Sequence, residues 1–144
     1  RFWGLLEGVP GLRPHRIATE NSTMGCWYFP LGLYRADELG DLNNEKFCEA
    51  VRAEGVSMCS AGANKPLHTR PFFHHLDYFH QGKPTALAFG QRDVRQEMGS
   101  LPVAERINDI CYTVPWFKYD RPEIIKQYAD AFRKVAENAD KLRG

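Results

Sequence analysis

Asp120–Leu142 reads DRPEIIKQYADAFRKVAENADKL and carries the clearest periodic pattern in the chain. Its apolar residues recur at alternating steps of three and four, as they do along one face of an α-helix. This stripe consists of Ile125, Tyr128, Phe132, Val135, Ala139 and Leu142. Asp120 is expected to cap the helix, with Glu123 at capping-box spacing and Pro122 in the first turn. The stretch therefore predicts a helix that packs one continuous face on a core.

Other helices are expected earlier in the chain. Asn43–Glu54 should form one, with Asn43 or Asn44 capping its first amides. Gly55 follows at the position where a left-handed residue commonly ends a helix. Pro102–Asp109 can begin another helix with proline in its first turn.

Three runs of β-branched and aromatic residues predict short strands. They are Cys26–Tyr34, Val56–Cys59 and Ile110–Val114. In the first run, Trp27, Phe29, Leu31 and Leu33 alternate onto one face, and Pro30 should place the strand at an edge or in a bulge. Leu12–Gly25 has no periodic pattern and is expected to be a polar connector. Strands interleaved with helices predict an α/β fold of the two-layer α+β type, with a small sheet and helices on one face.

The 144 residues are long enough for a buried core, and we predict a single domain over residues 1–144. Residues 1–8 have the pattern of the last turns of a helix already under way, which Gly8 and Pro10 then end. The chain also begins without a methionine. We therefore expect it to be the C-terminal part of a longer protein.

Composition narrows the class of function. The formal net charge of +1 lacks the basic excess of a nucleic-acid surface, and no apolar run is long enough to span a membrane. No Cys-x-x-Cys pair occurs, and each cysteine has apolar neighbours. Buried free thiols are the favoured interpretation, and two disulfides in a secreted protein remain the alternative. The cysteines are Cys26, Cys48, Cys59 and Cys111.

The polar stretch Ser60–Phe73 is the candidate binding loop. It combines Gly62, two prolines and the polar side chains of Asn64, Lys65 and His68. Scaffolds commonly present binding chemistry on such loops, although a surface loop with incidental charges would have the same composition. The clustered histidines lack the partner spacing of a zinc site, and no nucleophile or phosphate-loop motif occurs.

Several blocks, in order and over nearly the whole chain, resemble the C-terminal domain of the DegT/StrS-type sugar aminotransferases. These are pyridoxal-phosphate enzymes with the aspartate aminotransferase fold. The blocks are Val9–Leu12, Trp27–Leu31, Phe47–Gly55, Lys65–His68, Leu101–Glu105, Val114–Phe117 and Tyr128–Val135.

The resemblance implies transfer of an amino group from glutamate or glutamine to a keto sugar, a sugar nucleotide or a cyclitol. It also implies a cytoplasmic homodimer in which an upstream large domain holds most of the pyridoxal phosphate, including the catalytic lysine. No Schiff-base role is therefore assigned to Lys65, Lys83 or Lys118, and the isolated segment is expected to be inactive. The histidine of the Pro-Leu-His block corresponds to His68, which is expected to contact substrate together with Asn64 and Lys65.

The chain also departs from the family pattern. Ala61–Asn64 stands where many members have His-Tyr-Pro, and the Phe72–Gly99 segment is longer than in the commonest members. The first difference places the usual sugar nucleotide in doubt, and an atypical substrate such as a cyclitol or a sugar phosphate is the alternative. Two other classes stay open, which are an inactive relative acting as a sensor or regulator and a non-enzymatic binding or assembly domain.

Overall fold

The structure, a computed structural model, describes residues 1–22 and 28–143. The chain divides into two compact units. We call residues 1–63 and 108–144 the sheet unit, and residues 64–107 the insert unit. Cys26 and Trp27, which are part of a predicted strand, lie outside the described residues.

One antiparallel sheet, in the order β1-β2-β3, forms in the sheet unit. Its strands are β1 (Leu12–Arg13), β2 (Leu31–Tyr34) and β3 (Cys111–Thr113). Leu12 pairs with Tyr34, and Gly32 pairs with Tyr112. The predicted α+β class, with a small sheet of about three strands, is confirmed.

Most of the helices are short. They are α1 (Phe2–Leu5), α2 (Asn44–Ala53), α3 (Pro71–His75), α4 (Pro102–Glu105), α5 (Ile107–Ile110) and α6 (Pro122–Glu137). Single 3-10 turns cover Ala36–Leu39, Leu67–Thr69, Thr85–Ala88 and Ala139–Leu142. Among the residues described, no helix has both the length and the apolar character needed to cross a lipid bilayer.

Aromatic rings join the long helices to one face of the sheet. Tyr34 packs against Phe47 of α2 with ring centroids 5.2 Å apart, and Tyr112 packs against Phe132 of α6 at 5.7 Å. All four side chains are buried. Leu33, on the opposite face of β2, is 53% exposed. The helices therefore cover the face of the sheet that carries Tyr34 and Tyr112.

Gly32 in β2 is required by the packing of its cross-strand partner. A Cβ atom at this position would overlap the ring of Tyr112. The missing side chain thus lets the tyrosine ring lie flat across the sheet, where it can reach Phe132.

Three predictions about the sheet are wrong, and the backbone explains each of them. Val56–Cys59 is not a strand, because pairing with β3 begins only at Ser60, whose carbonyl accepts from the Thr113 amide at 2.9 Å. Leu12–Arg13, predicted as part of a connector, pairs with β2. β2 is central in the sheet, not at an edge, because Pro30 precedes its first residue and so removes no ladder donor.

Of the three predictions about helix ends, two are confirmed and one is wrong. Asn43 caps α2, accepting from the amides of Glu45 at 2.8 Å and Lys46 at 3.3 Å, as expected. Gly55 has the expected left-handed backbone, with φ of 96°. The predicted cap at Asp120 is wrong, since its carboxylate binds the guanidinium of Arg1 and no side chain caps α6.

Cys48, Cys59 and Cys111 are buried free thiols, so the prediction is confirmed for these three residues. Cys26 lies outside the described residues. A hydrogen bond with Cys48 and burial both raise the pKa of the Cys59 thiol. Cys59 therefore serves as a small core side chain rather than as a reactive thiolate.

Candidate functional site

His68 lies in the single 3-10 turn Leu67–Thr69 of the insert unit. Pro66 directly precedes this turn, and its ring fixes the backbone angle φ there. Its carbonyl oxygen accepts hydrogen bonds from both the amide and the hydroxyl of Thr69. The Nε2 atom of His74 in α3 donates to the carbonyl oxygen of His68. Local bonds therefore hold the backbone of His68 from two directions.

The imidazole of His68 is bound by the carboxylate of Glu105. Its Nε2 atom lies 2.8 Å from Oε1 of Glu105. The two side chains keep only 8% and 18% of their accessible surface. Among the described residues of the insert unit, this pair is more enclosed than the pair of Arg95 and Asp93, whose side chains keep 36% and 54% of their accessible surface.

Glu105 also collects backbone donors. The Gly99 amide lies 2.9 Å from each carboxylate oxygen, and the Leu101 amide lies 3.2 Å from Oε1. The hydrogen bond from His68, followed by those from the Gly99 and Leu101 amides, holds the pKa of Glu105 below its ordinary value. The carboxylate is therefore ionised at neutral pH, and an ionised carboxylate can only accept hydrogen bonds.

The sequence around Glu105 explains its position. Gly99 has a φ of 88°, which favours glycine, and it turns the chain before Leu101. Pro102 then begins α4 without loss of a needed N–H, and Glu105 ends this single turn. Its side chain reaches back to the amides that precede the helix, in the manner of an acidic capping residue.

The other predicted site residues stand apart from this pair. Asn64 and Lys65 are exposed, and neither side chain forms a hydrogen bond or ion pair with any described residue. The geometry thus brings His68 together with Glu105 and His74, but not with Asn64 or Lys65. Substrate contact by His68, Asn64 and Lys65 stays a prediction.

Sequence reasoning missed Glu105 as a partner of His68, although a signal was present. An acidic residue in the first turn of a helix that begins with proline is a common capping pattern. That pattern predicts a bond to the backbone. It contains nothing about a histidine 37 positions earlier, because the contact depends on tertiary structure.

A second feature of the insert unit is a groove of about 480 Å³ lined by both histidines of α3, Lys83 and Arg95. The Arg95 guanidinium is already engaged, by the Asp93 carboxylate and by the carbonyl of His74. This contact with Arg95 lowers the pKa of Asp93 to about 2. The groove therefore offers few uncompensated cationic groups for an anion.

The lysines of this chain lack the burial that is typical of a Schiff-base lysine. A Schiff-base lysine is normally desolvated, which lowers the pKa of its amine. Every lysine here has an exposed side chain. The described residues also contain no group of three or more His, Cys, Asp or Glu side chains arranged to hold a metal ion.

In the sheet unit, a groove of about 340 Å³ lies between α1 and the segment after β3. Aromatic side chains line much of it, including Trp3, Trp116 and Tyr119. Trp116 is 45% exposed and Tyr119 is 75% exposed. This groove therefore exposes more apolar area than is usual for a protein surface that contacts only water.

Comparison of the chain with family models and with curated proteins gives no match.

Proposed function

We propose that this chain is the C-terminal small domain of a pyridoxal-phosphate-dependent aminotransferase of the DegT/StrS type. The enzyme transfers an amino group from glutamate or glutamine to a keto sugar, a sugar nucleotide or a cyclitol. The role of this domain is to bind and orient the amino acceptor, with His68, Asn64 and Lys65 as contacts.

The observation that carries the proposal is the bond between His68 and Glu105. These residues belong to two separate blocks of the family resemblance, Lys65–His68 and Leu101–Glu105. The fold brings Nε2 of the histidine to 2.8 Å from Oε1 of the glutamate. A surface loop with incidental charges has no reason to enclose a histidine and fix it from both its ring and its backbone. A preorganised polar group of this kind is what a binding site requires.

The cofactor in this proposal is pyridoxal phosphate held mainly by an upstream large domain. The exposure of all the lysines supports the placement of the cofactor in the upstream domain, because none of them is buried as a Schiff-base lysine is. When bound, the cofactor supplies the chemistry of amino transfer. The present chain supplies substrate contacts.

The proposed partners are the upstream domain and a second copy of the protein, in a cytoplasmic homodimer. Exposed apolar side chains on the sheet unit support a protein partner. They include Tyr28 at 90% exposure, Leu33 and Trp116. Such residues are the usual material of a protein interface.

The test compares both half-reactions in a protein that contains the large domain. In a His68→Ala variant, the absorbance spectrum of the protein with pyridoxal phosphate and its change on addition of the amino donor should be as in wild type. Return of the amine to the keto acceptor should slow by about twofold to a hundredfold, the effect of losing one hydrogen bond of about 0.5–3 kcal/mol. The 144-residue chain alone, mixed with pyridoxal phosphate and glutamate, should form no 2-oxoglutarate.

His75→Ala is the matched control, because this neighbouring histidine is exposed and should leave both half-reactions unchanged. Equal loss of both half-reactions in His68→Ala would mean that His68 is structural or linked to the cofactor. A colourless protein without absorbance in the pyridoxal bands would instead favour an inactive sensor or a non-enzymatic binding domain.

A further inference from the structure

The bond between Glu105 and His68 constrains which ring nitrogen carries a hydrogen. An ionised carboxylate has no hydrogen to donate, so Nε2 of His68 must be the donor in this contact. In the neutral imidazole the other nitrogen, Nδ1, is then an acceptor with a free lone pair.

Nδ1 is also the nitrogen that the fold leaves unused. Among residues 1–22 and 28–143 it has no hydrogen-bond partner, whereas Nε2 and the backbone carbonyl are both occupied. The carboxylate of Glu105 is itself held by the Gly99 and Leu101 amides, so it cannot move to bind Nδ1 in place of Nε2. In the neutral imidazole, the polar capacity that remains at this position is therefore a single acceptor.

Building on the proposed function, we infer that Glu105 is a positioning residue that holds His68 as the Nε2–H tautomer, so that Nδ1 accepts a hydrogen bond from a hydroxyl group of the amino acceptor. An ionised phosphate oxygen has no hydrogen to donate and would face the lone pair of Nδ1 in the neutral ring. The contact therefore selects a hydroxyl, as on a cyclitol or a sugar ring, over a phosphate oxygen at this position.

The tautomer can be measured directly on the 144-residue chain. Two-bond ¹H–¹⁵N correlation spectra distinguish the two nitrogens of each histidine, and at about pH 8 an ordinary imidazole is neutral. His68 should show the Nε2–H pattern. Glu105→Gln should increase the fraction of the Nδ1–H form, because an amide can donate to Nε2 as well as accept from it. Glu97→Gln, an exposed change in the same segment, should leave the spectrum of His68 as it was.

A wild-type spectrum with the Nδ1–H pattern would overturn the inference, as would a Glu105→Gln spectrum identical to wild type. The wild-type measurement needs no variant, so it decides the tautomer even if Glu105→Gln fails to fold. It also needs no catalysis, so its outcome is independent of whether the proposed function is correct.

The substrate part is tested in the protein that contains the large domain. Acceptors that differ by one deoxygenated position are compared as kcat/KM in wild type and in His68→Ala. One deoxy acceptor should lose about twofold to tenfold in wild type and nothing in the variant. If every deoxy acceptor loses equally in both proteins, no hydroxyl binds Nδ1 and this part is wrong. The donor half-reaction is measured in the same two proteins. If it is unchanged, the proposed aminotransferase activity holds even when the hydroxyl contact is wrong.

Discussion

The sheet unit and the insert unit are stabilised by different interactions. The sheet unit encloses a cluster of rings in which Phe47, Tyr112 and Phe132 have no accessible surface. In the insert unit Leu87 is the only buried residue among the side chains described, and even Phe89 is 73% exposed. Its carboxylates instead accept several hydrogen bonds each.

Three carboxylates show this pattern in the insert unit. Asp77 accepts from the Gln81 and Gly82 amides, Asp93 binds Arg95, and Glu105 binds His68 and two backbone amides. Burial of apolar surface is insensitive to pH, whereas hydrogen bonds to ionised carboxylates depend on it. The two units should therefore respond to different perturbations.

The largest effect is expected from a truncation in the sheet unit. Phe132→Ala removes a fully buried ring that contacts Phe2, Phe47 and Tyr112, and should reduce the free energy of unfolding by about 3–5 kcal/mol. Urea denaturation measures it. Val103→Ala in the insert unit deletes apolar atoms from a side chain that is 81% exposed, and should change stability by no more than about 0.5 kcal/mol. A loss well under about 1 kcal/mol for Phe132→Ala would mean that the stripe of α6 is not core.

A smaller effect is expected from the buried polar contact of the sheet unit. The amide of Asn44 donates to the carbonyls of Asn108 at 2.8 Å and Cys111 at 2.6 Å, which joins the start of α2 to the start of β3. Asn44→Ala leaves both carbonyls without this donor and should cost about 1–3 kcal/mol. The same denaturation experiment checks it. An Asn44→Ala protein as stable as wild type would show that water replaces the amide at no cost.

Acid should loosen the insert unit before the sheet unit. Folding lowers the pKa values of Asp77 and Glu105, chiefly through backbone amides for the first and through His68 for the second, and Arg95 lowers that of Asp93 to about 2. Their contribution to stability is present above the ordinary carboxyl pKa of about 4 and is lost as pH falls through the lowered values. Amide NMR signals of Gly82 and Gly99 should shift and lose protection from about pH 5 to about pH 2, while those of α6 persist.

Glu105→Gln separates the contributions of these carboxylates. It should abolish the acid response of the Gly99 amide and leave that of Gly82, which depends on Asp77. Simultaneous loss of the α6 signals and the insert signals at one pH would contradict the contrast between the units.

The smallest effect concerns an exposed carboxylate of the sheet unit. Asp120 pairs with Arg1, and both side chains are more than half exposed. Asp120→Ala should therefore cost at most about 1 kcal/mol, and added salt should reduce even this cost. A larger loss that is insensitive to salt would show that Asp120 stabilises the start of α6 after all. Melts at low and high ionic strength distinguish the two outcomes.

The sequence predicts features whose causes are local. The stripe of α6, the cap at Asn43 and the left-handed Gly55 each depend on residues within a few positions. Sheet pairing is harder to predict from the sequence. Leu12–Arg13 is a strand only because it pairs with β2, and Val56–Cys59 is not a strand although its residues favour one. The same limit applies to the site. The composition of the loop indicates His68, but only the fold supplies Glu105.

The chain leaves the sheet unit beside the point where it returns. The Gly62 amide donates to the Cys111 carbonyl at 2.6 Å, and a Cβ atom on Gly62 would overlap Asn108. The ends of residues 64–107 are thus held together by the sheet, whatever the length of chain between them. The entropy of closing a flexible loop grows only with the logarithm of its length, so each doubling costs about 0.6 kcal/mol. Evolution can therefore lengthen, shorten or exchange this segment at little cost to the stability of the sheet unit that carries it.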